Sequence, residues 1–171
     1  MNRKRIRLLL LLGTLTLFVT HSFAANRISF TVLVNPKATQ NLSRVEFVRV
    51  LRGDMRFWSN GRPIRIILPP RSSDGPFERV LRKLLNVDLR GYQQSWDARR
   101  FRGETTVLPM VAPDEQMTIR AVITDPSFLA IIESDHLANI PPAMRSALQV
   151  MTIDGRGPEA EGYVLATQSA D

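Results

Sequence analysis

The stretch Ile64-Arg65-Ile66-Ile67-Leu68-Pro69-Pro70-Arg71-Ser72-Ser73-Asp74-Gly75-Pro76-Phe77-Glu78-Arg79-Val80-Leu81 joins two hydrophobic periodicities through a short polar break. The run from Ile64 to Leu68 is β-branched and apolar, and it stops at two prolines that cannot donate to a sheet ladder. Behind Pro76, a residue favoured in a first helical turn, Phe77, Val80, Leu81, Leu84 and Leu85 recur at helical spacing. Strand, loop and helix in this order are the building unit of an α/β sheet.

Upstream, Ile28 to Val34 reads as a buried strand that ends at Asn35-Pro36. Ser43 and Glu46 then form a capping box, with Leu42 and Phe47 placed as a hydrophobic staple. This predicts a helix over 44–52, closed by Gly53 in a left-handed conformation. Turn chemistry at Ser59-Asn60-Gly61-Arg62-Pro63 leads back into the decisive stretch.

Downstream, a helix starts after Asp88, carries Leu89, Tyr92 and Trp96 on one face, and ends before Gly103. Residues 103–113 read as irregular, and 114–122 as a short helix with Met117, Ala121 and Val122 facing inward. Phe128 to Ile132 has strand length, Pro141-Pro142 marks a loop, and Leu148 to Ile153 is a strand stopped by Asp154-Gly155. The expected fold is α/β: a single lobe with a mixed sheet flanked by helices.

The first 24 residues have a different character. Arg3, Lys4, Arg5 and Arg7 precede an apolar run from Leu8 to Val19 that closes on Ser22-Phe23-Ala24, the pattern of a cleaved export signal. The run is short for roughly 30 Å of hydrocarbon, so no stable membrane anchor is expected after cleavage near Ala24. The expected organisation is a signal peptide over 1–24 and one domain over 25–171, with a periplasmic destination.

The chain has 23 Lys and Arg against 16 Asp and Glu; four of the basic and none of the acidic residues lie in the leader, so its net +7 falls to +3. The high pI therefore reflects the leader in large part and does not argue for nucleic-acid binding. A basic cluster still remains, namely Arg62, Arg65, Arg71, Arg79, Arg82, Lys83, Arg90, Arg99, Arg100 and Arg102. It reads equally as an anion-facing region or as solvated helix faces.

There is no cysteine, which removes thiol nucleophiles, disulfides and Cys-based metal sites. Outside the leader the sole histidine is His136, within Glu133-Ser134-Asp135-His136, whose spacing matches no recognised ligand pattern. That segment reads as an exposed turn, so no metal, cofactor or catalytic residue is expected. A hydrolase built on His136 and a nearby carboxylate has little support.

The loop Arg71-Ser72-Ser73-Asp74-Gly75 carries oxyanion chemistry. A helix start presents amides without partners and a positive dipole end, Arg71 adds a bidentate charge, and two hydroxyls add donors. Asp74 either caps the helix or accepts the proton of a monohydrogen anion.

Several further segments carry a resemblance: Val32-Leu33-Val34-Asn35-Pro36, Leu42 to Phe47 leading to Leu51-Arg52-Gly53, and Trp58 with Gly61-Arg62-Pro63-Ile64. They continue as Trp96 with Phe101-Arg102-Gly103, Asp154-Gly155, and Gly162-Tyr163-Val164-Leu165-Ala166. In this order, with Arg71, the chain resembles the phosphate ABC-transporter substrate-binding proteins of the type 2 periplasmic fold, and more closely their short single-domain relatives. The resemblance implies periplasmic residence, binding of inorganic phosphate or a related anion without catalysis, and a membrane transporter or sensor as partner.

Two departures stand out. The family's Ser-Gly-Thr positions after the Arg read Gly75-Pro76-Phe77, and its Gly-Ala-Ile-Gly-Tyr segment reads Ser127-Phe128-Leu129-Ala130-Ile131. The contrary expectation is a degenerate interaction module without a ligand, for which Phe57, Trp58 and Phe128 are the candidate exposed apolar residues.

Overall fold

A computed structural model describes residues 27–38, 40–70 and 75–168. Strand β1 (Arg27–Val34) is followed by α1 (Arg44–Arg52), β2 (Arg65–Leu68), α2 (Pro76–Leu85) and α3 (Leu89–Phe101). Then come β3 (Met110–Val111), α4 (Glu115–Thr124), β4 (Phe128–Glu133), α5 (Pro142–Arg145), β5 (Gln149–Met151) and β6 (Ala166–Gln168).

The sheet is mixed, in the order β3-β2-β4-β1-β5, with β6 also paired to β1. β2 runs parallel to both β3 and β4, whereas β1 is antiparallel to β4, β5 and β6. The carboxyl ends of β2 and β4 therefore share one end of the sheet, the end from which connections to helices leave.

Strand pleating sorts the apolar residues between two layers. Phe30, Val32, Val34, Ile66, Leu68, Leu129 and Ile131 face the larger core, which α1, α2 and α3 cover with Phe47, Val50, Leu51, Phe77, Val80, Leu81, Tyr92 and Trp96. Leu33, Ile67, Phe128, Ala130 and Ile132 face the smaller one, covered by Ile119 and Val122 of α4 and by Ile140. Both faces of the sheet are thus buried, which is why β1, β2 and β4 read as continuous apolar runs.

Local signals set the ends of the helices. The capping box of α1 forms, with Glu46 N–H donating to Ser43 Oγ at 3.2 Å and Ser43 N–H donating to Glu46 Oε2 at 2.8 Å. Gly53 ends that helix at φ 77°. Asp88 and Asp114 cap α3 and α4 through their carboxylates, at 2.6 Å and 2.7 Å. Asn35 joins layers: its side-chain amide donates to the carbonyls of Val122 and Ile123, at 3.2 Å and 2.8 Å, near the end of α4.

Three expectations need correction. Met117 is 55% exposed, because α4 packs Ile119 and Val122 into the smaller core with Thr118 beside them, and this face excludes Met117. Residues 103–113 contain β3, a two-residue strand held by parallel pairing with Ile67 and Leu68. The Pro141-Pro142 loop contains α5, with Pro142 in its first turn. Trp58 and Phe128 are buried, leaving Phe57, at 55% exposure, the accessible aromatic of the three. No described helix is long and apolar enough to cross a membrane.

Candidate functional site

Of the candidate anion residues, Arg71, Ser72, Ser73 and Asp74 lie outside the described residues, and Gly75 lies within them. The flanks place their loop between the carboxyl end of β2 at Leu68-Pro69-Pro70 and the start of α2. In an open α/β sheet this is the end where ligands bind.

Gly75 is the N-cap of α2 and is buried, with extended backbone (φ −69°, ψ 166°). It offers no side chain, and Pro76 after it has no N–H. Asp74, the residue before this N-cap, lies outside the described residues. Among the described helices of eight residues or more, α2 alone starts without a side-chain cap. The acidic residue of its first turn, Glu78, is turned back toward α3. There it accepts from Arg82 at 2.6 Å and from the Leu89 N–H at 3.4 Å.

At the carboxyl end of β2 lies a groove of about 340 Å³. Leu68, Pro69 and Pro70 form one side, Ile131, Ile132 and Glu133 come from the end of β4, and Asp114, Glu115 and Thr118 come from the first turns of α4. His136 closes it from a 3-10 turn over Ser134–Asn139. A second depression, of about 310 Å³, shares Leu68 and is bordered by Tyr92 and Trp96. Burial pushes the Tyr92 hydroxyl far above its ordinary pKa, so it remains protonated there.

The electrostatics of the larger groove are acidic. Asp114 already occupies the amide end of α4, and Glu115 and Glu133 add two more carboxylates. His136 Nδ1 lies 3.0 Å from Glu115 Oε2, and its Nε2 lies 3.8 Å from Asp135 Oδ1. The segment expected to be a plain exposed turn is thus a half-exposed wall of the groove. The local sequence hinted at Glu133, Asp135 and His136, but nothing local could have revealed Glu115.

Five residues of the basic cluster stand against carboxylates. Arg82 pairs with Glu78, Arg99 with Asp54 and Glu104, Arg100 with Asp97, and Arg102 with Glu104. Arg65 lies 3.6 Å from Asp125 and 4.6 Å over the Phe128 ring. These are helix-surface pairs and loop ties.

No protein-family model and no curated protein sequence matches the chain. Solved structures do. PstS from Borrelia burgdorferi aligns with a TM-score of 0.61 at 13% identity, over 84% of this chain and 56% of its own. A protein assigned as a phosphate ABC transporter substrate-binding protein, with bound phosphate, from Clostridium perfringens aligns at 0.57 and 12% identity, over 84% and 54%. An ABC-type phosphate transport receptor from Vibrio cholerae aligns at 0.52 and 11% identity, over 84% and 55%. The chain spans little more than half the length of these proteins, and what it shares with them is the fold, a mixed sheet flanked by helices of the periplasmic-binding-protein kind.

Proposed function

We propose that this protein is a non-enzymatic solute-binding protein. It holds inorganic phosphate or a related oxyanion at the carboxyl end of β2 and presents it to a membrane transporter or sensor. The observation that supports the reading is the pair of flanks of Arg71–Gly75: β2 ends at Leu68, and α2 is, among the described helices of eight residues or more, the one whose N-cap residue offers no side-chain acceptor. Arg71 supplies the charge, Ser72 and Ser73 hydroxyl donors, Gly75 close backbone approach, and Asp74 an acceptor for the proton of a monohydrogen anion. The acidic groove at the carboxyl end of β2 disfavours a bare dianion and favours a ligand that carries a proton. Likeness in fold to phosphate-binding proteins supports the ligand class, and with the leader it supports export to the periplasm.

Calorimetric titration with phosphate tests this. Saturable binding is expected, weakened at least about tenfold in Arg71→Ala, because a charge-assisted hydrogen bond contributes roughly 1.5–3 kcal/mol. Equal affinity in the variant would remove the site.

A second reading is an interaction module without a small ligand. It is favoured by exposed Phe57 and Val107 beside a groove of about 390 Å³ on the α1–α3 side. It predicts no anion binding and a crosslinked membrane partner that Phe57→Ser abolishes.

A further inference from the structure

We infer that the end of the molecule built from residues 52–57 and 97–104 docks on an anionic phospholipid surface. Phe101 and Phe57 enter the headgroup layer, and the arginines around them face the lipid phosphates.

The two segments are far apart in sequence and tied together in space. Arg99, near the end of α3, pairs with Asp54 at 2.6 Å and with Glu104 at 3.3 Å. The Arg56 guanidinium donates to the Glu104 carbonyl. Phe57, Gly103, Glu104 and Val107 line one groove, that of about 390 Å³.

Positive charge is concentrated at this end. The segments hold Arg52, Arg56, Arg99, Arg100 and Arg102 against Asp54, Asp97 and Glu104, so two of the three net positive charges beyond the leader lie here. Glu104 is shared between Arg99 and Arg102. Among the described residues neither Arg52 nor Arg56 forms an ion pair. The pairs that do form lie at the surface and leave the net field in place.

The aromatic rings are an independent observation. Phe101 is the last residue of α3 and is 94% exposed, and Phe57 is exposed too. Tyr92 and Trp96 take the inward face of α3. Phe101 follows Trp96 by five residues, about 140° round the helix, so the core does not use it. Exposed apolar rings amid cations mark an interaction surface.

The occupant follows from the same features. Anchors at protein interfaces sit in closely packed surroundings, whereas Phe101 projects from a helix end with almost no neighbours of its own. A fluid headgroup layer needs no matching shape, and it takes up an apolar ring together with the cations beside it. Met117 is exposed as well, but it stands beside Glu115 on α4, which covers the other face of the sheet. An anionic surface repels that face, which sets the orientation of docking. The inference does not rest on the anion reading, since none of these residues belongs to the 71–75 loop, and it assigns lipid rather than protein to the Phe57 face.

The test is co-sedimentation of the protein, recovered after export from an expressing host, with phosphatidylcholine vesicles containing either no anionic lipid or about 30% phosphatidylglycerol. Binding is expected to the anionic vesicles alone, and most of it should disappear in about 1 M salt, where the screening length is about 3 Å. Phe101→Ser is expected to weaken binding at least about tenfold, the effect of withdrawing a phenyl ring from an apolar site. Arg52→Gln combined with Arg100→Gln should weaken it about 10- to 30-fold, and Met117→Ser should bind as the unaltered protein does. Circular dichroism verifies that each variant folds. No binding to anionic vesicles, equal binding to neutral ones, or equal binding by folded Phe101→Ser overturns the proposal. Retention on immobilised polyglutamate without vesicle binding also overturns it and assigns this end to an acidic polypeptide.

Discussion

Gly53→Ala tests the packing that carries the binding end of the sheet, because two separable penalties meet at that residue. Gly53 ends α1 at φ 77°, and an added Cβ would lie 2.6 Å from Cη2 and 2.9 Å from Cζ3 of Trp96. That indole cannot retreat easily: it is 6% exposed and its Nε1 donates to the Leu51 carbonyl at 3.1 Å. The left-handed backbone costs an alanine about 1–2 kcal/mol, and forcing a methyl into a filled core costs about 1–3 kcal/mol more.

Gly61 is the control, since its φ is 80° but nothing lies within 4 Å of its added Cβ. Gly61→Ala should therefore lose only the backbone part, about 1–2 kcal/mol. In urea unfolding the two variants should differ by about 1–3 kcal/mol, and in thermal unfolding by roughly 4–12 °C at about 4 °C per kcal/mol for a domain of this size. Equal losses at the two glycines would refute the argument that Trp96 is fixed against the end of α1.

Other consequences follow from the same geometry. Asn35→Ala removes both donors that reach the Val122 and Ile123 carbonyls, so it should cost about 1–3 kcal/mol in denaturant unfolding; a loss near zero would mean that water replaces the amide. The Ser43 backbone N–H holds Glu46 below its ordinary pKa, the Arg102 hydrogen bond does so for Glu104, and the Ser127 backbone N–H does so for Asp125. A carboxylate depressed in the folded state contributes stability that is fully present above its unfolded pKa and is lost as pH falls through the folded value. The urea midpoint should therefore be level from neutral pH to about pH 5 and decline below it, and Glu46→Gln should reduce that decline; a flat profile to about pH 3 would contradict these ties.

Much of the architecture was legible because its signals are local. The Ser43–Glu46 box, the helix start after Asp88, Gly53, and the proline stops after β2 each act within a few residues, and each stands where the sequence placed it. What escaped depends on partners far along the chain. β3 is two residues long and exists through its pairing with β2, and β6 is held by its register with Arg27 to Ser29. The inward face of α4 differs at Met117, because packing of Ile119 and Val122 against the sheet selects a face that Met117 does not share.

The candidate sites divide in the same way. Arg71 to Gly75 is a contiguous run read from the order of strand, loop and helix alone, and of it only Gly75 lies among the described residues. The acidic groove joins Glu115 to His136 across the sheet end, and only the parallel course of β2 and β4 brings those elements together. The basic cluster looked available in sequence because its carboxylate partners, such as Asp54 for Arg99, lie tens of residues away.

The most direct test of the solute-binding claim is thermal unfolding of the protein in millimolar phosphate, sulfate, chloride and a carboxylate at matched ionic strength. A ligand at a hundred times its dissociation constant adds about 2.7 kcal/mol to the folded state. A phosphate-selective rise that disappears in Arg71→Ala is the predicted result. An unfolding temperature that is the same in all four anions, or a phosphate effect that survives Arg71→Ala, would contradict it.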